Sequence, residues 1–149
     1  MSRRAILVAA VLLFAGSGAA LAIDYASVAR TAILYETSSL QARKLAIIHA
    51  GTPVEVVVTS PDLQWVKVRD PAGSMAWIEG SALNKQRTVL VTAEQAAVRR
   101  DATSDAPVVF EAVRDVVLEF VSASPNGWVK VRHADGSEGY LRFSEVWGR

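Results

Sequence analysis

The stretch Trp65-Val66-Lys67-Val68-Arg69 occurs a second time, unchanged, as Trp128-Val129-Lys130-Val131-Arg132. Each copy is followed by a Gly-Ser pair and then by an aromatic and an aliphatic residue, which are Trp77-Ile78 in the first copy and Tyr140-Leu141 in the second. Valines alternate with polar residues in each copy, so one sheet face carries the valines and the other carries Trp, Lys and Arg. Strand, glycine-containing turn and second strand together predict a β-hairpin.

The repeat extends well beyond the hairpin. At an offset of 63 positions, with no insertion, Val54 and Val58 fall on Val117 and Val121, Tyr35 on Val98, Ile78 on Leu141, and Leu83 on Val146. Such a register indicates one structural unit written twice. We therefore predict a first module over residues 23–83, a linker over 84–87 and a second module over 88–149.

Each module is predicted to be a small, strongly bent β-barrel. Short strands are expected at residues 32–35, 45–48 and 54–58, at the Trp65 strand and at 75–78, with a last short segment reaching Leu83. Turn signals separate these strands, and no segment has a convincing helical pattern. A unit of about 60 residues buries only a marginal core, so we expect the two modules to pack together, with exposed aromatic rings as candidates for the seam.

Residues 1–22 resemble a signal peptide. Arg3-Arg4 forms a short basic head, residues 5–15 form an apolar run, and a small-residue tail ends in Ala20-Leu21-Ala22. The run is shorter than the roughly 20 residues that a membrane span needs, so cleavage after Ala22 is favoured over retention as an anchor. Ordinary secretion is favoured over twin-arginine export, because no cofactor motif is present. We expect a periplasmic or secreted protein without membrane attachment after cleavage.

Composition excludes several classes of function. The chain has no cysteine, which rules out disulfides, thiol nucleophiles and Cys-based zinc sites. Its net charge is +1, and removal of the leader leaves 14 basic against 15 acidic side chains. This balance gives no general attraction to nucleic acid or anionic membranes. No cofactor is predicted.

Both modules resemble bacterial SH3 (SH3b) domains. The first carries the pattern in Ala32-Ile33-Leu34-Tyr35, Gly51-Thr52-Pro53-Val54, Trp65-Val66-Lys67-Val68, Gly73, Trp77-Ile78 and Leu83. The second carries it in Ala97-Val98-Arg99-Arg100, Ala106-Pro107-Val108-Val109, Trp128-Val129-Lys130-Val131, residues 136–141 and Val146. The resemblance implies an all-β fold of two SH3-like barrels and a binding or targeting role outside the cytoplasm.

No catalytic or metal site is predicted. Ser60, His133 and Asp135 could be imagined as a triad, but no nucleophile-elbow spacing supports it. His49 and His133 stand at non-equivalent places beside turns, and no His, Asp or Glu pair recurs at ligand spacing. The chain is therefore expected to be non-enzymatic.

The aromatic residues of the repeated hairpins carry the binding-site hypothesis. If the valines fill the core, Trp65 and Trp128 lie on a partly open surface beside Lys67 and Lys130, where a ring next to a cation can stack a sugar or hold a peptide carboxylate. Trp77 and Tyr140 are the other equivalent pair. We accordingly expect Trp128→Ala to weaken binding at little cost in stability. The alternative is that some of these rings cover the barrel end or fill the seam.

The sequence is compatible with two kinds of partner. The first is a cell-wall polymer such as peptidoglycan, or an extended segment of an envelope protein, bound by the modules. The second is association with further copies or other proteins through sheet edges, which would make the chain a structural assembly protein.

Overall fold

The computed structural model describes residues 22–149, so the predicted leader, apart from Ala22, lies outside the described residues. The described chain forms strands joined by turns and three short 3-10 segments, at Gly80–Ala82, Pro125–Gly127 and Phe143–Glu145. The strands of the first half are β1 Asp24–Val28, β2 Ala32–Tyr35, β3 Lys44–Ile48, β4 Pro53–Thr59, β5 Trp65–Arg69, β6 Met75–Glu79 and β7 Leu83–Asn84. Those of the second half are β8 Thr88–Val91, β9 Gln95–Arg99, β10 Val108–Val113, β11 Val117–Ser124, β12 Trp128–Arg132, β13 Glu138–Arg142 and β14 Val146–Trp147.

The two halves have the same topology. Each is a seven-stranded sheet, in the order β3-β2-β6-β5-β4-β1-β7 for the first, module 1, and β10-β9-β13-β12-β11-β8-β14 for the second, module 2. Neighbouring strands are antiparallel throughout. The prediction of an all-β, barrel-like unit written twice is confirmed.

The repeated valines lie in the core of each module, as predicted. Val68 is 1% exposed, and Val129 and Val131 are fully buried. Each module has its own cluster of buried aliphatic side chains, which includes Ile78 in module 1 and Leu141 in module 2. Full burial of a side chain of this size stabilises the fold by about 1.5–3 kcal/mol, so the alternation in the hairpins accounts for much of each small core.

The strand that opens each module was not predicted. The sequence of β1, Asp-Tyr-Ala-Ser-Val, has only a short and weak alternation. Its strand conformation depends on two neighbours, because β1 is hydrogen-bonded to β4 on one side and to β7 on the other. In module 2, β8 lies in the same way between β11 and β14. Pairing with strands distant in sequence therefore overrides a modest local preference.

The gapless register of the repeat is wrong between the first and the fifth strand of each module. Ala26 pairs with Val54, whereas Val89, its counterpart at an offset of 63, pairs with Leu118. Val54 therefore corresponds to Leu118 and not to Val117, and the two are 0% and 1% exposed.

The same shift applies to β2 against β9. Tyr35 pairs with Trp77, and Arg99, not Val98, pairs with Tyr140. Compared with module 1, module 2 has one residue more between its first two strands and one residue fewer in the loop before β12. Equivalent residues between these two points are therefore 64 positions apart, and those outside them are 63 apart.

The modules pack against each other, as expected, through residues near the chain connection. Tyr25 and Trp147 meet edge to face. Thr88 Oγ1 donates a hydrogen bond to the Gly51 carbonyl oxygen at 2.6 Å, and the guanidinium of Arg87 lies 4.2 Å from the centroid of the Phe120 ring. The short connection between β7 and β8 is thus part of the seam between the modules.

Candidate functional site

The two Trp residues of the repeated hairpins stand opposite different partners. Trp65 begins β5 and faces Glu79 across the strand pair, and Trp128 begins β12 and faces Arg142. Directly opposed residues on neighbouring antiparallel strands have their Cβ atoms about 4.5–5.5 Å apart, so their side chains interact. The same ring therefore has a carboxylate beside it in module 1 and a guanidinium beside it in module 2.

In module 1 the Trp65 ring lines an open cleft of about 520 Å³. One wall is the loop between β2 and β3, at residues 38–41, and the other is the end of the loop between β4 and β5, at residues 63–64. Glu79 and Ser81 close one end. Beneath the cleft, Tyr35 is buried and meets the Trp65 ring edge to face, with centroids 5.4 Å apart. We call this feature the module 1 cleft.

The loop before Trp65 is held in place by its own polar groups. Ser60 Oγ donates to Asp62 Oδ1 at 2.5 Å, and the same oxygen accepts the Gln64 amide at 3.1 Å. The Trp65 amide donates to Ser60 Oγ at 3.0 Å. The Ser60 hydroxyl, followed by the Gln64 amide, holds the pKa of the Asp62 carboxyl below its usual value. This carboxylate is therefore engaged within the loop.

Glycine at position 80 allows that loop to approach the end of β6. A Cβ on Gly80 would lie 2.4 Å from the carbonyl oxygen of Leu63, closer than any real Cβ contact. The Gly80 amide donates to the Gln64 carbonyl at 2.7 Å. The wall formed by Leu63 and Gln64 is thereby anchored to the strand that carries Glu79.

Two leucines of the module 1 cleft are exposed to solvent. Leu40 is 55% and Leu63 is 72% exposed, and each stands on a different wall. Leu63 also has a positive φ of 59°, a conformation that costs a residue with a Cβ roughly 1–2 kcal/mol. Backbone strain and exposed apolar side chains are typical of ligand-binding loops.

The facing loop of the cleft is closed by an exposed ion pair. Arg43 Nη2 lies 2.7 Å from Glu36 Oε1, and the Glu36 amide donates to the Arg43 carbonyl at 3.0 Å. The hydrogen bond from Arg43, and then its charge, lower the pKa of the Glu36 carboxyl. Both charges are thus paired at the base of the loop, away from the cleft floor.

Trp128 is not on an open surface, and that prediction is wrong. Its side chain is 4% exposed. The guanidinium of Arg142 lies over the ring, with its Cζ 4.6 Å from the ring centroid, and Nη2 continues to a hydrogen bond with Ser104 Oγ in the loop between β9 and β10. Arg142 thus connects β13 with the loop between β9 and β10 and covers the Trp128 ring.

The other four predicted site residues form one cross-strand pair in each module. Lys67 pairs with Trp77, and Lys130 pairs with Tyr140. All four are half-buried, and none of them lines the module 1 cleft. Of the six predicted binding residues the structure therefore places Trp65 in the cleft. It adds Glu79, Leu40 and Leu63, and the sequence marks Glu79 as a position where the charge is reversed between the repeated hairpins, from Glu79 to Arg142.

Lys130 is engaged in an ion-pair network of module 2. Glu138 lies 2.8 Å from Lys130 Nζ and 2.6 Å from Arg132 Nη2, and Arg132 Nη1 lies 3.0 Å from Glu119. Hydrogen bonds from Lys130 and then Arg132 lower the pKa of the Glu138 carboxyl. The ion pair of Arg69 with Glu55 in module 1, at 2.9 Å, is equivalent to the pair of Arg132 with Glu119 in module 2.

The imagined catalytic triad is not assembled as a unit. His133 and Asp135 share the turn between β12 and β13, with Nδ1 3.2 Å from Oδ1, whereas Ser60 is bonded to Asp62 in module 1. Among the residues that the structure describes, no three His, Asp or Glu side chains gather as ligands for a metal ion. Residues 22–149 also contain no helix of the length and apolarity that crossing a membrane requires.

Comparison with known proteins gives a family match for both modules. The sequence model of the bacterial SH3 domain matches residues 28–85 and 92–148. No curated protein matches the chain.

Several solved structures are similar to the chain. NlpC1 from Trichomonas vaginalis has 12% identity and a TM-score of 0.40, over 95% of this chain and 51% of that one. An NlpC/P60 family protein from Bacillus cereus has 16% identity and a TM-score of 0.37, over 83% and 56%. An NlpC/P60 endopeptidase from Photobacterium damselae has 13% identity and a TM-score of 0.37, over 83% and 33%. The chain thus spans between one third and just over half of the length of these proteins.

Proposed function

Because the chain belongs to the bacterial SH3 domain family, with two copies of the domain in tandem, we propose that it is an exported, non-enzymatic binding protein. Its ligand is a component of the cell envelope, either peptidoglycan or an extended segment of a partner protein. The leader over residues 1–22 supports export, with cleavage after Ala22 and release into the periplasm or medium. Mass spectrometry of the mature protein tests this, with an N-terminus at Ile23 as the expected result.

The observation that carries the proposal is the module 1 cleft. An aromatic floor at Trp65, exposed leucines on both walls and polar groups from Ser38, Gln41 and Ser81 combine the features of a ligand site. Most of the lining is polar, and Trp65, Leu40 and Leu63 supply its apolar surface. A flat ring in a groove of this kind stacks on sugar rings and on extended peptides alike.

Sedimentation with purified cell-wall sacculi tests the binding role. We expect the mature protein to pellet with sacculi, and Leu63→Ala or Trp65→Ala to reduce the pelleted fraction severalfold. Leu45→Ala is the matched control, because Leu45 is an exposed leucine of β3 that lies outside the cleft. Equal pelleting by all variants would place the ligand elsewhere. A protein that neither pellets nor retains any protein from an envelope extract would contradict the proposal altogether.

Association through sheet edges is the second candidate, and the outer strands favour it. β3 and β10 stand at the ends of their sheets, and both carry exposed aliphatic side chains, with Ile47 at 67% and Val113 at 55%. Such an edge can pair with another chain. Sedimentation velocity should then reveal concentration-dependent oligomers without sacculi, and Ile47→Lys should abolish them because a charge on an edge strand opposes pairing.

A further inference from the structure

Module 2 contains an internal occupant at the position of the module 1 cleft. The aliphatic stem of Arg142 starts opposite Trp128, its guanidinium stacks on the ring, and its tip bonds to Ser104. A guanidinium over an indole face is a favourable cation–π contact, here between an exposed arginine and a buried ring. The second module therefore has the geometry of a bound arginine side chain, supplied by its own chain.

Module 1 has the same floor without that arginine. Glu79 stands at the position of Arg142 and faces Trp65 across the strand pair. Leu40 replaces Ser104, and Leu63 replaces Asn126, with both Leu63 and Asn126 in the left-handed backbone conformation. The occupant is thus missing, the charge at its position is reversed, and a leucine stands where module 2 has Ser104, the hydrogen-bond partner of Arg142.

The charges around the module 1 cleft favour a cation. Glu79 takes part in no ion pair within residues 22–149. Asp62 is engaged by its own loop. The nearby cation Arg30 is bonded to Ser81 Oγ at 3.1 Å.

These groups match one kind of side chain. A carboxylate beside an aromatic face is the pair of groups that holds a guanidinium, since the hydrogen bonds are charge-assisted and the ring adds its quadrupole. The two leucine walls fit the aliphatic stem that such a side chain carries behind its charged tip.

We propose that the module 1 cleft takes an arginine side chain from an extended peptide segment of a partner protein, stacked on Trp65 and paired with Glu79 as Arg142 is stacked on Trp128. This inference rests on the proposed binding function and specifies its ligand. Module 2 is then self-occupied, so the chain binds one such segment and not two.

The test uses the mature protein and short peptides with blocked ends, Gly-Ser-Arg-Ser-Gly and the same peptide with citrulline in place of arginine. Citrulline keeps the shape of the side chain and removes its charge. We expect the arginine peptide to shift the indole N–H signal of Trp65 and not that of Trp128 in nuclear magnetic resonance spectra. The citrulline peptide should bind at least about tenfold more weakly than the arginine peptide, because it lacks a charge-assisted hydrogen bond.

Two reciprocal variants sharpen the test. Glu79→Arg gives module 1 the strand pair that module 2 already contains, so it should fold, cover Trp65 and lose the peptide. Arg142→Glu should uncover Trp128 and raise the stoichiometry from one peptide per chain to two. If Arg142→Glu destabilises the protein too much for peptide binding to be measured, Glu79→Arg and the citrulline peptide still test the inference.

Equal affinity for the arginine and citrulline peptides, or undiminished binding by Glu79→Arg, would overturn the inference. Sacculi separate this failure from that of the proposed function. If the arginine peptide does not bind but Trp65→Ala loses sacculus pelleting that the wild-type protein has, the inference is wrong and the binding function stands. If Glu79→Arg abolishes peptide binding and leaves pelleting intact, the cleft serves the peptide and another surface serves the polymer.

Discussion

Tyr25 and Trp147 meet edge to face across the seam between the modules, with ring centroids 5.4 Å apart and ring planes at 84°. Tyr25 lies in the first strand of module 1 and Trp147 in the last strand of module 2. The contact therefore joins the two ends of the described chain. It also couples the stability of the modules, since neither ring has this partner when its module stands alone.

Removal of either ring should loosen the seam. Edge-to-face pairs contribute about 0.5–1.5 kcal/mol beyond the area they bury. A double-mutant cycle of Tyr25→Ala and Trp147→Ala, measured by denaturant unfolding, should give a coupling energy in that range. Tyr25→Phe is the control and should cost little, because the ring remains. Additive losses in the double variant would mean that the rings do not interact.

The two hairpin tryptophans should differ in their contribution to stability. Trp128 is 4% exposed, so Trp128→Ala should lower the free energy of unfolding by about 3–5 kcal/mol. Trp65 lines an open cleft, and Trp65→Ala should cost clearly less. Guanidinium denaturation of both variants checks this order. Equal losses would mean that Trp65 is as deeply packed as its counterpart.

Gly148 should tolerate a side chain less well than Gly136. Both have a positive φ, 98° and 90°, so alanine at either position carries the cost of a left-handed backbone, roughly 1–2 kcal/mol. A Cβ on Gly148 would also lie 2.7 Å from Pro53 Cβ and 3.0 Å from the Thr88 carbonyl, whereas one on Gly136 meets nothing within 4 Å.

Gly148→Ala should accordingly lower the melting temperature more than Gly136→Ala, because Pro53 belongs to the other module and is fully buried. Differential scanning calorimetry of the two variants under the same conditions gives their melting temperatures. A larger loss for Gly136→Ala would contradict the tight approach of the C-terminal segment to module 1.

Glu138 should make stability depend on pH in the acidic range. Lys130 and Arg132 hold its folded-state pKa below the ordinary value of 4.5. A carboxyl with a lowered folded pKa stabilises the fold above its unfolded pKa, and that contribution is lost as the pH falls through the folded value. Glu138→Gln should therefore melt below the wild type at neutral pH, with a difference that shrinks as the pH drops below 4.5.

Thermal melts across this pH range provide the measurement. Glu94→Gln is the control, because the ion pair of Glu94 with Arg114 is well exposed and such surface pairs contribute little. A constant difference between wild type and Glu138→Gln at all pH values would show that the network does not act through the charge of Glu138.

The hairpins and the core could be predicted from the sequence because their signal is local. Alternation of Val66 and Val68 with polar neighbours fixes which face is buried, and a glycine turn fixes the pairing of β5 with β6. The edge-to-face contact of Tyr35 with Trp65, by contrast, joins strands that are not consecutive.

The register of β2 to β4 could not be predicted in the same way. Val117 and Leu118 are both aliphatic, so aligning Val54 with either of them places an aliphatic side chain in the core. Pairing of Leu118 with Val89 decides the matter, and such pairings depend on the assembled sheet. A one-residue slip exchanges the two faces of a strand, which is why Val117 is exposed whereas Val54, its counterpart at an offset of 63, is buried.

The burial of Trp128 was missed for a related reason. Which face a ring occupies follows from strand alternation, and Trp128 is indeed on the face opposite Val129. Whether that face is open depends on what the facing strand carries, and Arg142 lies fourteen positions away along the chain. A long, amphipathic arginine stem can cover a ring that the alternation alone leaves uncovered.

The last three strands of the modules, at residues 65–84 and 128–147, have equal length and the same pairings, and both positions of the one-residue slip lie upstream of them. The two segments therefore match in length and in strand pairing. A chimera in which the two segments are exchanged needs no added or deleted residue, and it moves Trp128 and Arg142 together into module 1. Exchanging two existing segments would thus change which module has its tryptophan ring covered by an arginine and which leaves it accessible to a ligand.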